Sequence, residues 1–394
     1  NTQAWMTISV RNHQRPRRRL IATLGCWLWP LIILAGEHKT SLSPPVSTTI
    51  ATPFSTTVST IRTAPHGVIL LYHRVADNGP DSTRVSPAQF SAHLDQLLAD
   101  GYSVLPLEHL LDGIYNNRPL PLKPVAITFD DAYRSVGEVA YPMLRQRQMP
   151  FTVFVASGVV DTGASSFLSW SALRDMALDP LVSFGGHSVN HPHLELLAIT
   201  HSPSQEASRS DEIDTNMAQL RAKLGDSVID AFAYPYGEFS AATEALLQER
   251  KLYGLAQQSG AVDVNVPRTR IPRFPLYQGR GDQQRLERAL TTKPLPVITE
   301  TPNAVVIPAN AEAPSRWRFK WGEGKFNAHQ IACFSSKGEA LATELKDGWA
   351  TVALPSFSIG RNKVNCTAPS TDDPGSYFWY ARLWLMLSPE GLSD

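Results

Sequence analysis

Two acids end one apolar run of the chain, and two histidines follow another. Asp130 and Asp131 come directly after "PVAITF", and His187 and His191 stand four residues apart in "GGHSVNHPHL". Neighbouring carboxylates repel each other, so a buried pair needs a compensating cation or a proton. Two imidazoles and a carboxylate can hold one divalent ion and leave a position open for water. Such an ion lowers the pKa of the water from about 15.7 to about 7, and the second carboxylate can accept its proton.

Each of these signals also has an ordinary explanation. Histidines four residues apart are common at surfaces and caps, although on a helix the spacing would turn both rings to one side. Most Asp-Asp pairs lie in solvated turns. A set of two histidines and one carboxylate also serves iron oxygenases. Together the two signals are stronger evidence than either alone. The acid pair and the histidine pair each follow an apolar run, and these runs are predicted to be strands of one α/β unit.

The elements that must position these side chains alternate between strand-like and helix-like patterns. From Gly67 to about Ala289 the candidate strands are "VILLYHRV", "PVAITFDD", "PFTVFVAS", "LVSFGGHS", "DAFAYPYG", "YGLAQQS" and "RTRIPRF". Helical stretches separate them; in one, Ser86 is the predicted N-cap, Pro87 the first helical residue and Gly101 the stop. This alternation predicts an α/β fold with a parallel sheet, and we expect a distorted (β/α) barrel over residues 67–290. An open doubly wound sheet is the competing topology.

Beyond residue 290 the pattern changes. Residues 291–315 are rich in Pro and Thr and are predicted to be a linker. Residues 316–394 contain aromatic strand patterns such as "RWRFKW" and "YFWYARLWLML", which predict a small C-terminal all-β domain resembling a sandwich. Its tryptophans are expected to be core and interface residues rather than a platform for sugar: Trp317, Trp321, Trp349, Trp379 and Trp384.

The N-terminal part carries a targeting signal. An arginine cluster precedes the uncharged apolar run 20–36, which predicts an export signal or membrane anchor over residues 1–37. The run is short for a membrane span, so a cleaved signal is the first interpretation and an anchor the alternative. Residues 38–66, rich in Ser, Thr and Pro, are predicted to be a tether. We expect an exported protein, periplasmic or extracellular, with membrane contact only through this segment if it stays uncleaved.

Charge and cysteine usage narrow the class of partner and compartment. Lys+Arg and Asp+Glu both number 36, so no overall field attracts nucleic acid, and none is expected as a partner. Of the three cysteines, Cys26 lies in the export segment. Cys333 and Cys366 are predicted to form a disulfide, which would contribute about 3–4 kcal/mol in an oxidising compartment. Free buried thiols are the alternative.

Three motifs, taken in order, resemble one known family. "TFDD" ends at Asp131, "HSVNHP" contains both histidines, and "PYG" stands at Pro235 to Gly237. In this order they are similar to the polysaccharide deacetylases of carbohydrate esterase family 4. The likeness covers about residues 67–274 and implies a distorted barrel that removes acetyl groups from amino sugars with the help of a metal ion.

The resemblance also implies a role for each residue of the motifs. It makes Asp130 the general base and Asp131, His187 and His191 the ligands of one divalent metal. The backbone N–H of Tyr236 would stabilise the oxyanion together with the cation. Histidine and carboxylate ligands suit zinc first, with cobalt, nickel or iron as alternatives.

The sequence departs from the family pattern at two points. No late "LxH" motif supplies the general acid, but "LLYHRV" near the start of the barrel contains His73. Because a closed barrel brings its first and last strands together, a permuted order would deliver His73 to the site, with Leu71 lining an acetyl pocket. This early "YH" resembles the poly-N-acetylglucosamine deacetylases of biofilms. The arginine expected two residues before the proline of "PYG" is replaced by Ala233, and Arg270 or Arg273 could substitute for it.

These observations lead to one main hypothesis and two alternatives. The main hypothesis is a metal-dependent N-deacetylase that hydrolyses acetamides of an N-acetylhexosamine polysaccharide and releases acetate, with Pro235 and Arg273 as further substrate-binding residues. The first alternative is an O-acetyl esterase that uses the same site on another glycan. The second is a glycan-binding protein without turnover, which the missing arginine leaves open.

Overall fold

The computed structural model describes residues 66–198 and 203–388. The predicted export segment lies outside these residues, and so does the predicted tether up to residue 65. Within the described part of the chain, no helix is both long and apolar enough to cross a bilayer. The barrel region and the C-terminal sheets belong to one compact unit.

The first region is built from parallel strands joined by helices, as the sequence predicts. Its strands are β1 (Val68–Tyr72), β2 (Arg74–Val75), β3 (Arg84–Val85), β4 (Ser103–Val104), β5 (Pro124–Phe129), β6 (Phe151–Val155), β7 (Val182–Gly186), β8 (Val228–Ala233), β9 (Tyr253–Leu255) and β10 (Phe274–Pro275). Its helices are α1 (Pro87–Ala99), α2 (Leu107–Tyr115), α3 (Tyr141–Gln146), α4 (Ser157–Asp161), α5 (Trp170–Ala177), α6 (Pro203–Leu224), α7 (Ala241–Glu249) and α8 (Gln283–Leu290).

The main sheet curls into a distorted (β/α) barrel. Its strand order is β10-β1-β5-β6-β7-β8-β9, with β4 added on β5, and every pairing is parallel. A bridge between Leu255 and Ile271 brings β9 next to the segment that leads into β10. The first strand, β1, therefore lies beside the last one, β10. This is the arrangement that the permuted motif order requires to bring His73 to the site.

Alternation along the strands explains why they read as apolar runs. On β5, Val125 and Ile127 pack in one hydrophobic cluster, whereas Ala126 points into a second cluster with Ile69 and the buried face of α2. Strands covered on both faces need apolar residues at nearly every position. The exception on β5 is the buried Thr128, whose hydroxyl donates to the carbonyl of Leu70 over 2.8 Å.

Helix ends follow the predicted signals. The Ser86 side chain caps α1 by accepting from the backbone N–H of Gln89, and Pro87 is the first helical residue. The helix ends before Gly101, whose φ of +69° lies in the left-handed region that glycine adopts without strain. Capping of this kind fixes where each connection leaves the barrel.

The C-terminal region contains two sheets, one of them antiparallel throughout and the other antiparallel except for two short strands that pair in parallel. Its strands are β11 (Lys293–Pro294), β12 (Val297–Thr301), β13 (Val306–Ile307), β14 (Arg316–Trp321), β15 (Ala332–Ser335), β16 (Ala340–Leu341), β17 (Thr343–Lys346), β18 (Trp349–Ala353), β19 (Gly360–Pro369) and β20 (Tyr377–Met386). One sheet runs β11-β20-β19-β15-β16 with β13 on β20, and the other runs β12-β14-β18-β17. The segment 291–315, predicted as a linker, contains β11, β12 and β13; the domain boundaries themselves stay a prediction.

Aromatic residues form the core between these two sheets. Trp317 and Phe319 of β14 and Trp384 of β20 are fully buried in one cluster. The predicted disulfide is confirmed, since Cys333 and Cys366 stand opposite each other on β15 and β19 and are bonded. The sequence therefore predicts this all-β region correctly.

Candidate active site

Strand register brings the first strand and the acid pair together. Leu71 pairs with Thr128 and Tyr72 with Phe129, so His73 follows β1 at the level where Asp130 follows β5. The backbone N–H of Asp130 donates to the carbonyl of Tyr72 over 3.0 Å. Burial lowers the pKa of His73, and the charges of both aspartates oppose that effect without overcoming it. The imidazole is therefore neutral at pH 7 unless a neighbouring group gives it a proton.

Asp130 is fully buried and paired with an arginine from the far end of the barrel. Arg273 donates to both of its carboxylate oxygens, over 2.7 and 2.8 Å, and has no exposed surface itself. Burial alone would raise the pKa of Asp130, but the charges of Arg273 and His187 outweigh burial and lower the pKa. Asp130 is therefore ionised and a weak base, which suffices only if the water that it deprotonates is itself acidified.

Arg273 and Arg270 have different partners. The remaining donors of Arg273 reach the carbonyl of Ala256 at 2.8 Å and the hydroxyl of Thr128 at 3.3 Å. Arg270 instead forms two 2.8 Å hydrogen bonds to Glu244. Of the two arginines considered as a substitute for the missing one, Arg273 has the geometry to hold Asp130. Because Arg273 is enclosed, its geometry favours that role over the substrate-binding role also predicted for it.

The two histidines lie on a loop after β7, not on a helix. Ser188 and His191 have φ values of +64° and +55°, and the Ser188 hydroxyl accepts from the backbone N–H of His191 over 3.0 Å. This tight turn, rather than a helical repeat, brings the rings of His187 and His191 to a centroid separation of 4.8 Å. The helical explanation of the spacing was wrong, because left-handed residues fold the chain back within four positions.

Helix α6 holds this loop through two residues that sequence reasoning missed. The buried Asn216 accepts from the backbone N–H of His187 and donates to the carbonyl of Val155. Glu212, one turn earlier, accepts from the backbone N–H groups of Val189 and Asn190. A signal was present, since Asn216 falls among the apolar positions of an amphipathic helix, where a polar residue needs a partner.

Asp131, His187 and His191 converge on one point. The Nε2 atoms of both histidines are 3.3 Å from Oδ1 of Asp131, and all three ligand atoms lie within 4.8 Å of one another. In the part of the chain that the structure describes, these are the three residues grouped as a candidate metal site. Asp131 adopts a φ of +73°, in the left-handed region of the backbone.

The histidine tautomer fits a metal ligand. Nδ1 of His187 lies 2.7 Å from the carbonyl of Ala233, which can only accept, so Nδ1 carries the proton. Nε2 is then a bare lone pair, and it is buried without a hydrogen-bond partner. Burial lowers the pKa of His187, yet the carboxylates of Asp130 and Asp131 outweigh burial and raise it. The two carboxylates therefore favour a positive charge at Nε2, which a divalent cation can supply in place of a proton.

The "PYG" loop closes one side of this cluster. Tyr236 adopts a φ of +59°, and its ring lies 4.6 Å from that of His191. Gly237 has a φ of +70°, and a Cβ there would come within 2.5 Å of Gln257. Pro235 is buried. The loop is therefore tightly constrained next to the ligand histidine.

A further group of residues supports this loop. His193 stacks on Tyr236 with a centroid separation of 3.9 Å, and its Nδ1 lies 2.8 Å from a carboxylate oxygen of the buried Glu238. Arg361, from β19, lies 3.6 Å from the other oxygen of Glu238. Sequence reasoning named neither Glu238 nor Arg361, which are 123 positions apart in the chain.

The structure brings most of the predicted site residues together. Asp131, His187 and His191 form one cluster, His73 and Asp130 follow neighbouring strands at the same level, and the Tyr236 ring contacts His191. Leu71 is buried on β1 beside Thr128, and its contribution to an acetyl pocket stays a prediction. The chemical roles of all of these residues stay predictions as well.

Comparison with known proteins links part of the chain to a family. Residues 117–255 match the family model described as polysaccharide deacetylase. The match includes the acid pair, both histidines and the "PYG" loop, but neither His73 nor Arg273. The family match therefore carries no information about these two residues.

Similar proteins include two bacterial sequences and one solved structure. The chain is 30% identical to YxkH of Bacillus subtilis (strain 168) over 177 residues, which is 44% of this chain and 58% of that protein. It is 28% identical to the poly-beta-1,6-N-acetyl-D-glucosamine N-deacetylase of Staphylococcus aureus (strain MRSA252) over 199 residues, 48% of this chain and 67% of the relative. The Streptococcus pyogenes deacetylase PplD in complex with acetate superposes with a TM-score of 0.51 at 25% identity, covering 57% of this chain and 98% of that one.

Proposed function

We propose that the chain hydrolyses acetyl groups from an acetylated polysaccharide, because residues 117–255 match the polysaccharide deacetylase family model. The observation that carries this proposal is the convergence of Asp131, His187 and His191 beside an ionised Asp130. A two-histidine, one-carboxylate set by itself also suits redox iron. The adjacent carboxylate, held by Arg273 and not part of the ligand set, favours hydrolysis.

In the proposed site, Asp131, His187 and His191 hold one divalent cation, with zinc as the first choice. When bound, the cation supplies Lewis-acid chemistry and lowers the pKa of a water. Asp130 would accept a proton from the water that attacks the acetamide carbon. Arg273 keeps Asp130 charged and correctly oriented, and it contributes through Asp130 rather than by touching substrate.

We assign the remaining steps to two residues next to the metal-ligand cluster. The backbone N–H of Tyr236 stabilises the negative charge that develops on the acetamide oxygen, a contribution typically worth about 2.7–4 kcal/mol. His73 protonates the departing amine as the carbon–nitrogen bond breaks. The proton that His73 donates is the one that Asp130 took from the water and passed to the neutral ring, so both residues end in their starting states. One water is consumed, and acetic acid and one free amine are formed.

The Asp130–Arg273 pair also argues against the alternative of a glycan-binding protein that does not catalyse hydrolysis. That alternative depended on the missing arginine before the "PYG" motif. A bidentate, fully buried pair supplies the same support from another strand. A glycan-binding protein without turnover has no need for a buried ion pair, which is costly to desolvate.

Acetate release tests the proposal. The full chain, loaded with zinc, cobalt, nickel or iron, is incubated with acetylated glycans that include β-1,6- and β-1,4-linked N-acetylglucosamine oligomers and acetylxylan. We expect acetate from the amino-sugar polymers and its loss on chelation. An absence of acetate with every metal and glycan would contradict the proposal.

His73→Ala separates the amide and ester hypotheses. An alkoxide leaves more easily than an amine, so an ester should depend less on His73 than an amide does. We expect a drop of about 10²–10⁴-fold on the amide and a smaller one on a matched acetate ester. Equal small losses on both substrates would contradict the role of His73 as general acid.

The substrate class is proposed from a similar protein, and the cellular location from the sequence. The Staphylococcus aureus relative is named for poly-β-1,6-N-acetyl-D-glucosamine, and we propose a polymer of this class as the substrate. Export to the periplasm or cell exterior is proposed from the arginine cluster and apolar run of residues 1–37.

A further inference from the structure

We propose that Arg361 is a positioning residue for the "PYG" loop. The C-terminal sheets would then contribute a side chain to the active site through Arg361. This inference rests on the proposed deacetylase function. Arg361 is the second residue of β19, in a region that the family model does not reach. Its side chain crosses to the barrel and contacts the loop that borders the metal-ligand cluster.

Arg361 contacts three different groups of that loop. Its Nη1 donates to the backbone carbonyl of Tyr236 over 3.4 Å and lies 3.6 Å from a carboxylate oxygen of Glu238. Its guanidinium group stands 5.4 Å from the centre of the Tyr236 ring, within the range of a cation–π contact. One side chain therefore contacts the carbonyl and the ring of Tyr236 and the carboxylate of Glu238.

The loop needs such support. Tyr236 has φ +59° and ψ 3°, a left-handed conformation that a bulky residue keeps only when its surroundings impose it. Gly237 follows with a φ of +70°, and Gln258 donates to its carbonyl over 3.1 Å. Arg361 supports one carbonyl of this turn and Gln258 supports the next. Release of either would let the peptide planes of the turn rotate.

A continuous set of contacts links Arg361 to the metal-ligand cluster. Glu238 is 1% exposed and bonds His193, whose ring lies flat on Tyr236 with an interplanar angle of 9°. The opposite edge of Tyr236 meets His191 at 4.6 Å. Glu238 is buried and the Arg361 side chain is 38% exposed, so water screens their interaction from the arginine side only. A shift of this carboxylate would therefore move the stacked pair and the Tyr236 backbone together.

Two other roles for Arg361 make different predictions. An arginine that only joins two regions would change stability and leave turnover intact. One that binds sugar would change KM. A positioning residue changes kcat, because a misplaced oxyanion donor weakens stabilisation of the transition state more than binding of the ground state.

Arg361→Ala in the full chain tests the assignment. We expect kcat to fall about 10- to 100-fold with KM within about twofold, since displacement by about 1 Å has effects of this size. Metal content should equal that of the parent, and amide hydrogen exchange over residues 234–239 should accelerate. Arg361→Lys, which retains the charge, should recover part of both losses.

Arg318→Ala is the matched control. Arg318 is an exposed arginine of the same region that lies over Trp349 at 4.8 Å. Its loss should leave kcat and the exchange of residues 234–239 unchanged.

Several outcomes would overturn the proposal. These are an unchanged kcat, a raised KM with kcat intact, a loss of bound metal, or unchanged exchange over residues 234–239. If Arg361→Ala does not fold, Arg361→Lys is compared with the parent, and parent-like kcat and exchange would overturn the proposal. If the parent releases no acetate, the proposed function fails, whereas the exchange comparison still decides whether Arg361 holds the loop.

Discussion

The barrel and the C-terminal sheets bury different kinds of side chain. At the carboxyl ends of its strands the barrel encloses Asp130, Arg273 and His187, which are charged or polar and fully buried. Between the C-terminal sheets the corresponding volume is filled by Trp317 and Trp384, next to a disulfide. In the barrel the buried side chains belong to the proposed active site, and in the C-terminal region they stabilise the fold.

The difference has a physical consequence. A buried ion pair gains little net stability, because desolvation of both charges offsets their attraction, but removing one partner is costly. A buried aromatic residue contributes through the area that it removes from water. We therefore expect mutations in the barrel site to affect activity first, and mutations in the C-terminal core to affect stability first.

The largest expected effect is that of Asp130→Asn on turnover. Without the carboxylate that accepts the proton, kcat/KM should fall about 10²–10⁴-fold, while Asp131 and both histidines still bind the metal. Acetate release and metal content measure the two parts. Asp226→Asn, an exposed substitution, is the control and should match the parent. Activity within tenfold of the parent would remove Asp130 from the proposed mechanism.

Arg273→Met tests the cost of the buried charge. It leaves the Asp130 carboxylate enclosed without its counter-charge, so the free energy of unfolding should fall by about 3–5 kcal/mol in urea titrations. The pair Asp130→Asn with Arg273→Met removes both charges and should recover much of that stability, but not activity. If the double variant is no more stable than Arg273→Met, the ion-pair explanation is wrong.

Removal of the disulfide should act on the C-terminal region alone. Cys333 and Cys366 close a loop of 33 residues, so replacing both by Ala should lower the stability of that region by about 3–4 kcal/mol. Calorimetry should show its transition at a lower temperature. Acetate release at 25 °C should be retained as long as the region stays folded. A parent-like melting profile would contradict this division between the two regions.

The smallest effect concerns His66, which lies near Lys293 where the two regions meet. Burial, assisted by the Lys293 charge, lowers the pKa of this histidine from 6.5 to about 4. The folded state therefore prefers the neutral ring, and the stabilisation is complete above pH 6.5 and lost as the pH falls toward 4. The ring is partly exposed, so we expect a change below about 1 kcal/mol. His66→Gln should flatten this part of the stability curve; an identical curve would contradict the assignment.

Much of the site could be predicted from the sequence because its signals are local. Asp130 and Asp131 follow their strand directly, and His187 and His191 share a single short loop. The apolar run of β5 and the aromatic alternation of β14 likewise reflect which face of a strand is covered. Cys333 and Cys366 could be paired by counting, since the third cysteine lies in the predicted export segment.

What sequence reasoning missed depends on contacts between distant positions. Arg270 and Arg273 were equivalent candidates in one stretch, and only closure of the barrel joined Arg273 to Asp130, 143 positions away. The histidine spacing suggested a helix, whereas support from α6 and left-handed backbone formed a loop. Strands β11 to β13 arise in a segment rich in Pro and Thr because β14 and β20 offer them edges to pair with.

The sequence by itself determined which residues carry chemistry, since ligand types and strand-end positions are properties of neighbouring residues. The tertiary structure decided which charges neutralise which, and that the second region reaches the "PYG" loop through Arg361. The physical reason is that solvation and pairing of a buried charge depend on every group within a few ångströms. Those groups are brought together by the closed sheet, not by their order along the chain.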